Sequence, residues 1–284
     1  MPSPLVSTAW LEDRLDDNDL RIIDIRGKVL PPTAPPPHYL SDRAAYEAAH
    51  IPGAVYVDWQ VDIVEPGSPS NDIAAPGRFS DEMRRIGIGN GDRVVVYDDA
   101  ASMFAARMRW CLLYYGHADA RILDGGWQKW TAEGRPTEDA APAVRPGTFA
   151  AARNSRLKAN AEDILSGLGG ESIQLLDVRS PAEYAGEASR AQYGGHIPTA
   201  INLPAKNLVA GDLTLKPVPE LRAQCSELGI DLHAEDTVIY CNSGVSASLV
   251  LLALELVGAS NLRVYDGSWK EWGNDPATPK VPAG

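Results

Sequence analysis

Thr237–Val250 reads TVIYCNSGVSASLV. Its β-branched start, Thr237–Tyr240, is strand-like and ends on Cys241. A short polar turn follows. Val245, Leu249, Leu252 and Leu256 then recur at spacings of four, three and four, which is one face of a helix. A strand, a tight turn and a helix start therefore meet at a cysteine. Successive backbone N–H groups converge at such a turn, and the helix dipole adds partial positive charge. Both favour the thiolate, the form of cysteine that acts as a nucleophile. A free cysteine is more often a small buried hydrophobe. The following Asn242-Ser243-Gly244-Val245-Ser246 argues for more, because small polar residues and glycine suit a tight loop around a reachable sulfur. Cys111, after Trp110 in an apolar helix, reads as core, and Cys225 as a packing or half-buried thiol.

Working outward, the two halves of the chain repeat. Asp24-Ile25-Arg26 matches Asp177-Val178-Arg179, and His50–Ala54 (HIPGA) matches His196–Ala200 (HIPTA). Val94–Asp99 (VVVYDD) matches Thr237–Asn242 (TVIYCN), and Leu123–Trp127 (LDGGW) matches Tyr265–Trp269 (YDGSW). His50 and His196 stand 146 positions apart, Asp98 and Cys241 143, Asp124 and Asp266 142. Four pairs in one order, with so little drift, mark an internal duplication. Asp98 takes the place of Cys241 in the first copy. The division expected is a first domain at 1–135, a linker rich in Ala, Pro and charge at 136–156, and a second domain at 157–284.

Each copy alternates strands and helices. That implies an α/β fold with a mostly parallel sheet flanked by helices on both faces, and ligands at the carboxyl ends of its strands. In the first copy the pattern predicts a helix over Ser7–Leu15 capped by Ser7 or Thr8, and a strand at Arg21–Ile25. It further predicts a helix over Ser80–Arg85 capped by Ser80, a strand at Arg93–Tyr97 and an apolar helix over Met103–Tyr115. The five prolines from Pro31 to Pro37 mark Lys28–Leu40 as a polyproline-like surface excursion without ladder pairing.

Composition sets limits. With 284 residues, 44% of them hydrophobic and 23% charged, the chain can bury a core in each of two globular domains. Lys and Arg number 26 against 38 Asp and Glu, a net charge of −12, which argues against nucleic acid and anionic membranes as partners. Three cysteines imply a reducing compartment rather than a disulfide framework. The start, MPSPLVSTAWLEDRLDD, lacks the basic and apolar regions of a signal peptide, and no run reaches transmembrane length. A cytoplasmic location is expected.

The ordered set Asp-x-Arg, HIP[GT]A, strand-Cys loop and Asp-Gly-x-Trp, present twice over Ser7–Trp272, resembles the rhodanese superfamily of sulfurtransferases. The resemblance implies two tandem rhodanese-like domains, the first inactive. It implies that Cys241 takes a sulfane sulfur from a small-molecule donor, holds it as a persulfide and passes it to a thiophilic acceptor such as cyanide or a thiol. A loop of converging N–H groups serves a persulfide anion without metal or other cofactor. In the family, loops of the type C-R-K-G-V-T belong to thiosulfate-using enzymes and C-G-S-G-V-T-A to mercaptopyruvate sulfurtransferases. Cys241–Ala247, CNSGVSA, has no basic residue and is nearer the second type. The resemblance then gives Ser243 a proton-relay role. Ser246 either offers its hydroxyl to the sulfur or caps the helix.

Of the two arginines with which mercaptopyruvate enzymes clamp the substrate, Arg190 matches one, and Glu183 stands where the other is expected. Glu183 either disfavours anionic donors or lies on the surface. Asn71-Asp72-Ile73 occupies the place of the family's first-domain histidine; Asp58 is present, with strand capping as its other reading. Thiosulfate remains the alternative donor, and a sulfur-carrier or binding module the alternative of another class. A cysteine phosphatase needs Cys-x5-Arg, and Ala247 stands at that position. Arg26, Arg179, His50 and His196 read as structural because both copies carry them, and Trp127, Trp130, Trp269 and Trp272 read as packing anchors. Asp98 and Asp99 alone are too few for a metal site.

Overall fold

The computed structural model describes residues 3–35, 37–168, 170 and 173–282. In the first half, β1 (Leu5–Val6), β2 (Leu20–Asp24), β5 (Ala54–Tyr56), β6 (Arg93–Tyr97) and β7 (Ala120–Leu123) form a parallel sheet in the order β1-β7-β6-β2-β5. In the second, β8 (Lys158–Ala159), β9 (Gln174–Asp177), β10 (Ile201–Asn202), β11 (Thr237–Tyr240) and β12 (Leu262–Tyr265) form another, in the order β8-β12-β11-β9-β10. The orders are the same once the copies are matched. The helices are α1 (Thr8–Glu12), α2 (Arg43–Ala48), α3 (Pro76–Arg85), α4 (Met103–Tyr114) and α5 (Gly126–Ala132), then α6 (Ala161–Gly167), α7 (Pro181–Tyr184), α8 (Val218–Glu227), α9 (Val245–Leu256) and α10 (Ser268–Trp272).

The central strands β6 and β11 are covered on both faces. Their near-continuous apolar runs follow from that: Val94–Tyr97 and Val238–Tyr240 are fully buried. Helices α4 and α9 are buried nearly all round because each lies between its own sheet and the other half, and they pack on one another; the two arginines of α4, Arg107 and Arg109, are paired with Asp266 and Glu255. One core therefore runs through both copies, joining Phe104, Met108 and Leu112 to Leu249, Leu252 and Val264. The outer face of each sheet has a separate core, with Trp130 in one and Trp269 and Trp272 in the other.

The repeated motifs do structural work in both copies. Arg26 pairs with Asp24 at 2.7 Å and donates to the Ala49 carbonyl; Arg179 pairs with Asp177 at 2.5 Å and donates to the Gly195 carbonyl. Each guanidinium lies over the tryptophan of its own Asp-Gly-x-Trp motif, Trp127 or Trp269, at 4.4 and 4.3 Å. His50 and His196 stack on Tyr46 and Tyr184, and each uses Nδ1 on that tyrosine's carbonyl. Each Asp-x-Arg arginine thus ties down the turn that carries the histidine.

Three local expectations change. Helix α1 stops at Glu12, although Ser7 caps it by accepting from the Trp10 N–H. Helix α3 opens at Pro76, four residues ahead of Ser80, because proline at the first helical position has no N–H to leave unpaired. Ser80 is interior and donates back to the Pro76 carbonyl. The stretch around the prolines is a hairpin, with β3 (Gly27–Val29) antiparallel to β4 (Tyr39–Ser41) and Val29 opposite Tyr39. Pro31, Pro32, Pro35 and Pro37 sit in the loop beyond the ladder, where no ladder donor is lost, and Pro36 lies outside the described residues. Residues 136–156 run along the first half, with Gly147 donating to Arg84, Phe149 donating to Ile88 and the Phe149 ring fully buried. Among the described residues no helix is long and apolar enough to cross a membrane.

Candidate active site

Cys241 follows the last residue of β11, at the carboxyl edge of the second sheet. The start of α10 holds its loop from outside. The Ser268 hydroxyl accepts from the N–H groups of Cys241 and Gly244, each at 3.2 Å, and donates to the Tyr265 carbonyl. The Cys241 carbonyl accepts from Trp269 N–H and the Asn242 carbonyl from Lys270 N–H, both at 3.0 Å. The Asp-Gly-Ser-Trp motif is thus the brace of the cysteine loop.

Gly244 is the N-cap of α9 and has φ +74°. A Cβ there would lie 2.6 Å from Nη1 of Arg107 and 3.0 Å from Oδ1 of Asp266, so only glycine fits. Arg107 comes from α4 of the other half. It pairs with Asp266 at 2.6 Å; Asp266 also accepts from Lys158 at 3.0 Å and from the Ile73 N–H at 2.9 Å. Burial opposes both charges. For Asp266, Arg107, Lys158 and the Ile73 N–H outweigh that and hold the carboxyl below the usual range. For Arg107, the Asp266 carboxylate outweighs burial and keeps the guanidinium protonated.

The matching loop of the first copy is one residue longer, and it is closed. Asp98 Oδ1 accepts from the N–H groups of Ala100 and Ser102, both at 2.9 Å, and Oδ2 from Phe104 and Ala105 at 2.8 and 2.9 Å. Burial pushes the Asp98 carboxyl up to about 6, opposed by the N–H groups of Ala105, Ala100 and Ser102; both its oxygens face N–H donors only, the surroundings that suit a carboxylate. The Trp127 N–H holds the Asp98 carbonyl as Trp269 holds that of Cys241. In the first copy the turn therefore binds an anion that the protein itself supplies.

Cys241, Asn242, Ser243, Val245 and Ser246 line a cavity of about 190 Å³ together with Arg190 and Glu183. Of the loop residues singled out in the sequence, only Gly244 lies outside the lining, beneath it. The N-cap is Gly244, so the capping role for Ser246 falls away. The Ser243 hydroxyl is buried beside Tyr39 without a hydrogen bond of good geometry. Arg190 donates Nη1 to Glu183 at 2.5 Å and Nη2 to the Leu30 carbonyl of the first half at 2.7 Å, which leaves Nε buried without a partner. Glu183 is buried, not on the surface. It forms a capping box with Ser180 at the start of α7 and accepts from Asn242 Nδ2 at 2.9 Å.

The first half contributes Val29, Tyr39 and Met103 to the same cavity. Burial pushes the Tyr39 hydroxyl up to about 12, so it stays a neutral donor. The sequence reading missed these three residues, since they reach the site only through the contact between halves. It also missed Ser268, for which a signal existed: the two Asp-Gly-x-Trp motifs differ there, Gly126 against Ser268. Asn71 accepts from Arg107 through its carbonyl and from Lys270 through its side chain, at the rim of a neighbouring cavity that shares Tyr39 and Arg190. Cys111 and Cys225 are buried, and burial raises both thiols, Cys111 to about 12.

A duplicated parallel sheet with a cysteine loop at one strand end and an aspartate at the other defines a two-domain rhodanese-type architecture. The Rhodanese-like domain family matches residues 7–133 and 160–275, and the chain belongs to it. It is a sulfurtransferase of that family. It is 36% identical to the sulfur carrier protein TtuD of Thermus thermophilus over 96% of this chain and 94% of that one. It is 33% identical to a thiosulfate sulfurtransferase of Corynebacterium glutamicum over 96% and 88%. The crystal structure of SseA from Escherichia coli, described among 3-mercaptopyruvate sulfotransferases, superposes with a TM-score of 0.84 at 30% identity, over 94% of this chain and 99% of that one.

Proposed function

We propose that Cys241 carries a sulfane sulfur from a small anionic donor, 3-mercaptopyruvate preferred, to a thiophilic acceptor such as cyanide or a thiol. The observation that carries this reading is the pair of equivalent turns: one binds a carboxylate through four N–H groups, and the other places Cys241 at a cavity. In the donor step the Cys241 thiolate attacks the donor sulfur. The carbon–sulfur bond breaks, its electron pair leaves as the pyruvate enolate, and the former thiol proton ends on that carbon. Cys241 is left as a persulfide anion. In the second step cyanide takes the outer sulfur, thiocyanate departs and the thiolate returns. Ser243 relays the proton and Arg190, in the lining of the same cavity, orients the donor. The catalytic half is 157–284 and the location cytoplasmic on this reading.

A second reading keeps the mechanism and makes thiosulfate the donor, with sulfite as the leaving group. It is favoured by the name of the Corynebacterium relative, while that of the Thermus relative favours a carrier whose persulfide passes to another protein. Cys241→Ser tests all three: transfer from both donors to cyanide is expected to fall by at least about a thousandfold, and retained activity contradicts the proposal.

A further inference from the structure

Resting on the reading of Cys241 as the sulfur-carrying thiol, we propose that Glu183 is the specificity-determining residue of the donor site. It neutralises Arg190 and thereby selects a monoanionic organosulfur donor over a dianion. Three cationic side chains line the cavity: Arg179, Arg190 and Lys206. The two buried guanidinium groups each bring a counter-ion of their own, Asp177 at 2.5 Å for Arg179 and Glu183 at 2.5 Å for Arg190. Those four charges cancel. Lys206, exposed at the rim, is the one lining cation without a carboxylate partner among the described residues. Once Cys241 is a thiolate, the cavity holds a further negative charge.

Glu183 is built into this position and does not swing away. Its Oε2 accepts from the Ser180 hydroxyl at 2.8 Å in the capping box, and its Oε1 accepts from both Arg190 and Asn242. Two elements and the cysteine loop itself thus hold one carboxylate against the donor cavity. Coulomb energy is linear in the charge of the ligand, so a fixed carboxylate penalises thiosulfate, a dianion, twice as much in free energy as a monoanion such as 3-mercaptopyruvate. A penalty of factor f on the monoanion is then f² on the dianion.

Glu183→Gln removes the charge and keeps the fold, because glutamine at this position also completes a capping box. The experiment measures kcat/KM for 3-mercaptopyruvate and for thiosulfate, with cyanide as acceptor, on wild type, Glu183→Gln, Glu183→Asp and Glu187→Gln. Glu183→Gln should raise the 3-mercaptopyruvate value by about fivefold and the thiosulfate value by about twenty-five-fold, mostly through KM. Glu183→Asp keeps the charge and should hold the wild-type ratio of donors. Glu187→Gln makes the same change of net charge on the exposed part of this segment and should also leave the ratio alone. Equal changes for both donors in Glu183→Gln, loss of transfer from both, or a shifted ratio in Glu187→Gln would overturn the proposal. Failure of the Cys241 reading looks different: activity would survive in Cys241→Ser, whatever the donor ratio.

Discussion

The loop after β6 and the loop after β11 both leave a central strand, and both start a helix from a residue at positive φ, Ser102 at 66° and Gly244 at 74°. Both hand their first carbonyl to a tryptophan N–H. They differ in length by one residue, in the brace that Ser268 gives only the second, and above all in the side chain at the strand end. Asp98 reaches back into its own turn and occupies the N–H groups with two oxygens, whereas Cys241 ends in a single sulfur at a cavity. In the first copy the backbone N–H groups of the turn hold an anion that the protein supplies; in the second, the N–H groups of Cys241 and Gly244 go to the Ser268 hydroxyl and the cysteine side chain is left at the cavity. The copy without the thiol still serves the site. It supplies Arg107 beneath Gly244, the Leu30 carbonyl on Arg190, and Tyr39 and Met103 in the wall.

That division of labour can be broken in order of expected effect. Arg107→Ala leaves Asp266 fully buried with only Lys158 and the Ile73 N–H, and should cost about 3–5 kcal/mol in urea unfolding while loosening the cysteine loop. A loss under about 1 kcal/mol would mean that the Arg107–Asp266 pair contributes little to holding the halves together. Asp98→Asn turns an amide NH2 toward N–H donors and should cost about 2 kcal/mol, yet leave kcat/KM within about twofold. A tenfold loss of activity in a folded Asp98→Asn protein would show the two loops to be coupled. Tyr39→Phe should be mildest, with KM up by about threefold and kcat unchanged. Because burial pushes the Tyr39 hydroxyl up to about 12, it keeps its proton below that pH. The shape of the pH–rate profile from about 6 to 10 should therefore be the same in Tyr39→Phe.

The duplication, the central strands and the cysteine turn were legible in the sequence because strand periodicity, helix spacing and repeated motifs are local signals. The structural role of Arg26, Arg179, His50 and His196 was legible for a different reason: residues that recur in a copy without the thiol must serve the fold. What stayed hidden depends on contact across the chain. The prolines mark the loop of the β3–β4 hairpin, and nothing in their pattern tells that Tyr39 at its end meets Ser243. Burial of Glu183 depends on Arg190 and on Asn242, one of them far along the sequence. The α3 start differs from the sequence expectation because Ser80 followed by Asp81 and Glu82 imitates a cap, while Pro76 begins the helix a turn earlier. Ser268 was hidden in plain view, as the single difference that lets a hydroxyl brace the Cys241 N–H. In the first copy Gly126 stands there, and a Cβ would lie 2.3 Å from the Asp98 carbonyl oxygen.

The most direct test is the intact mass of the protein after exposure to 3-mercaptopyruvate and removal of excess donor. The account predicts a gain of one sulfur atom, mapped by peptide analysis to Cys241, absent in Cys241→Ser and discharged by cyanide. A gain on Cys111 or Cys225, or no gain in a preparation that turns over, would contradict it.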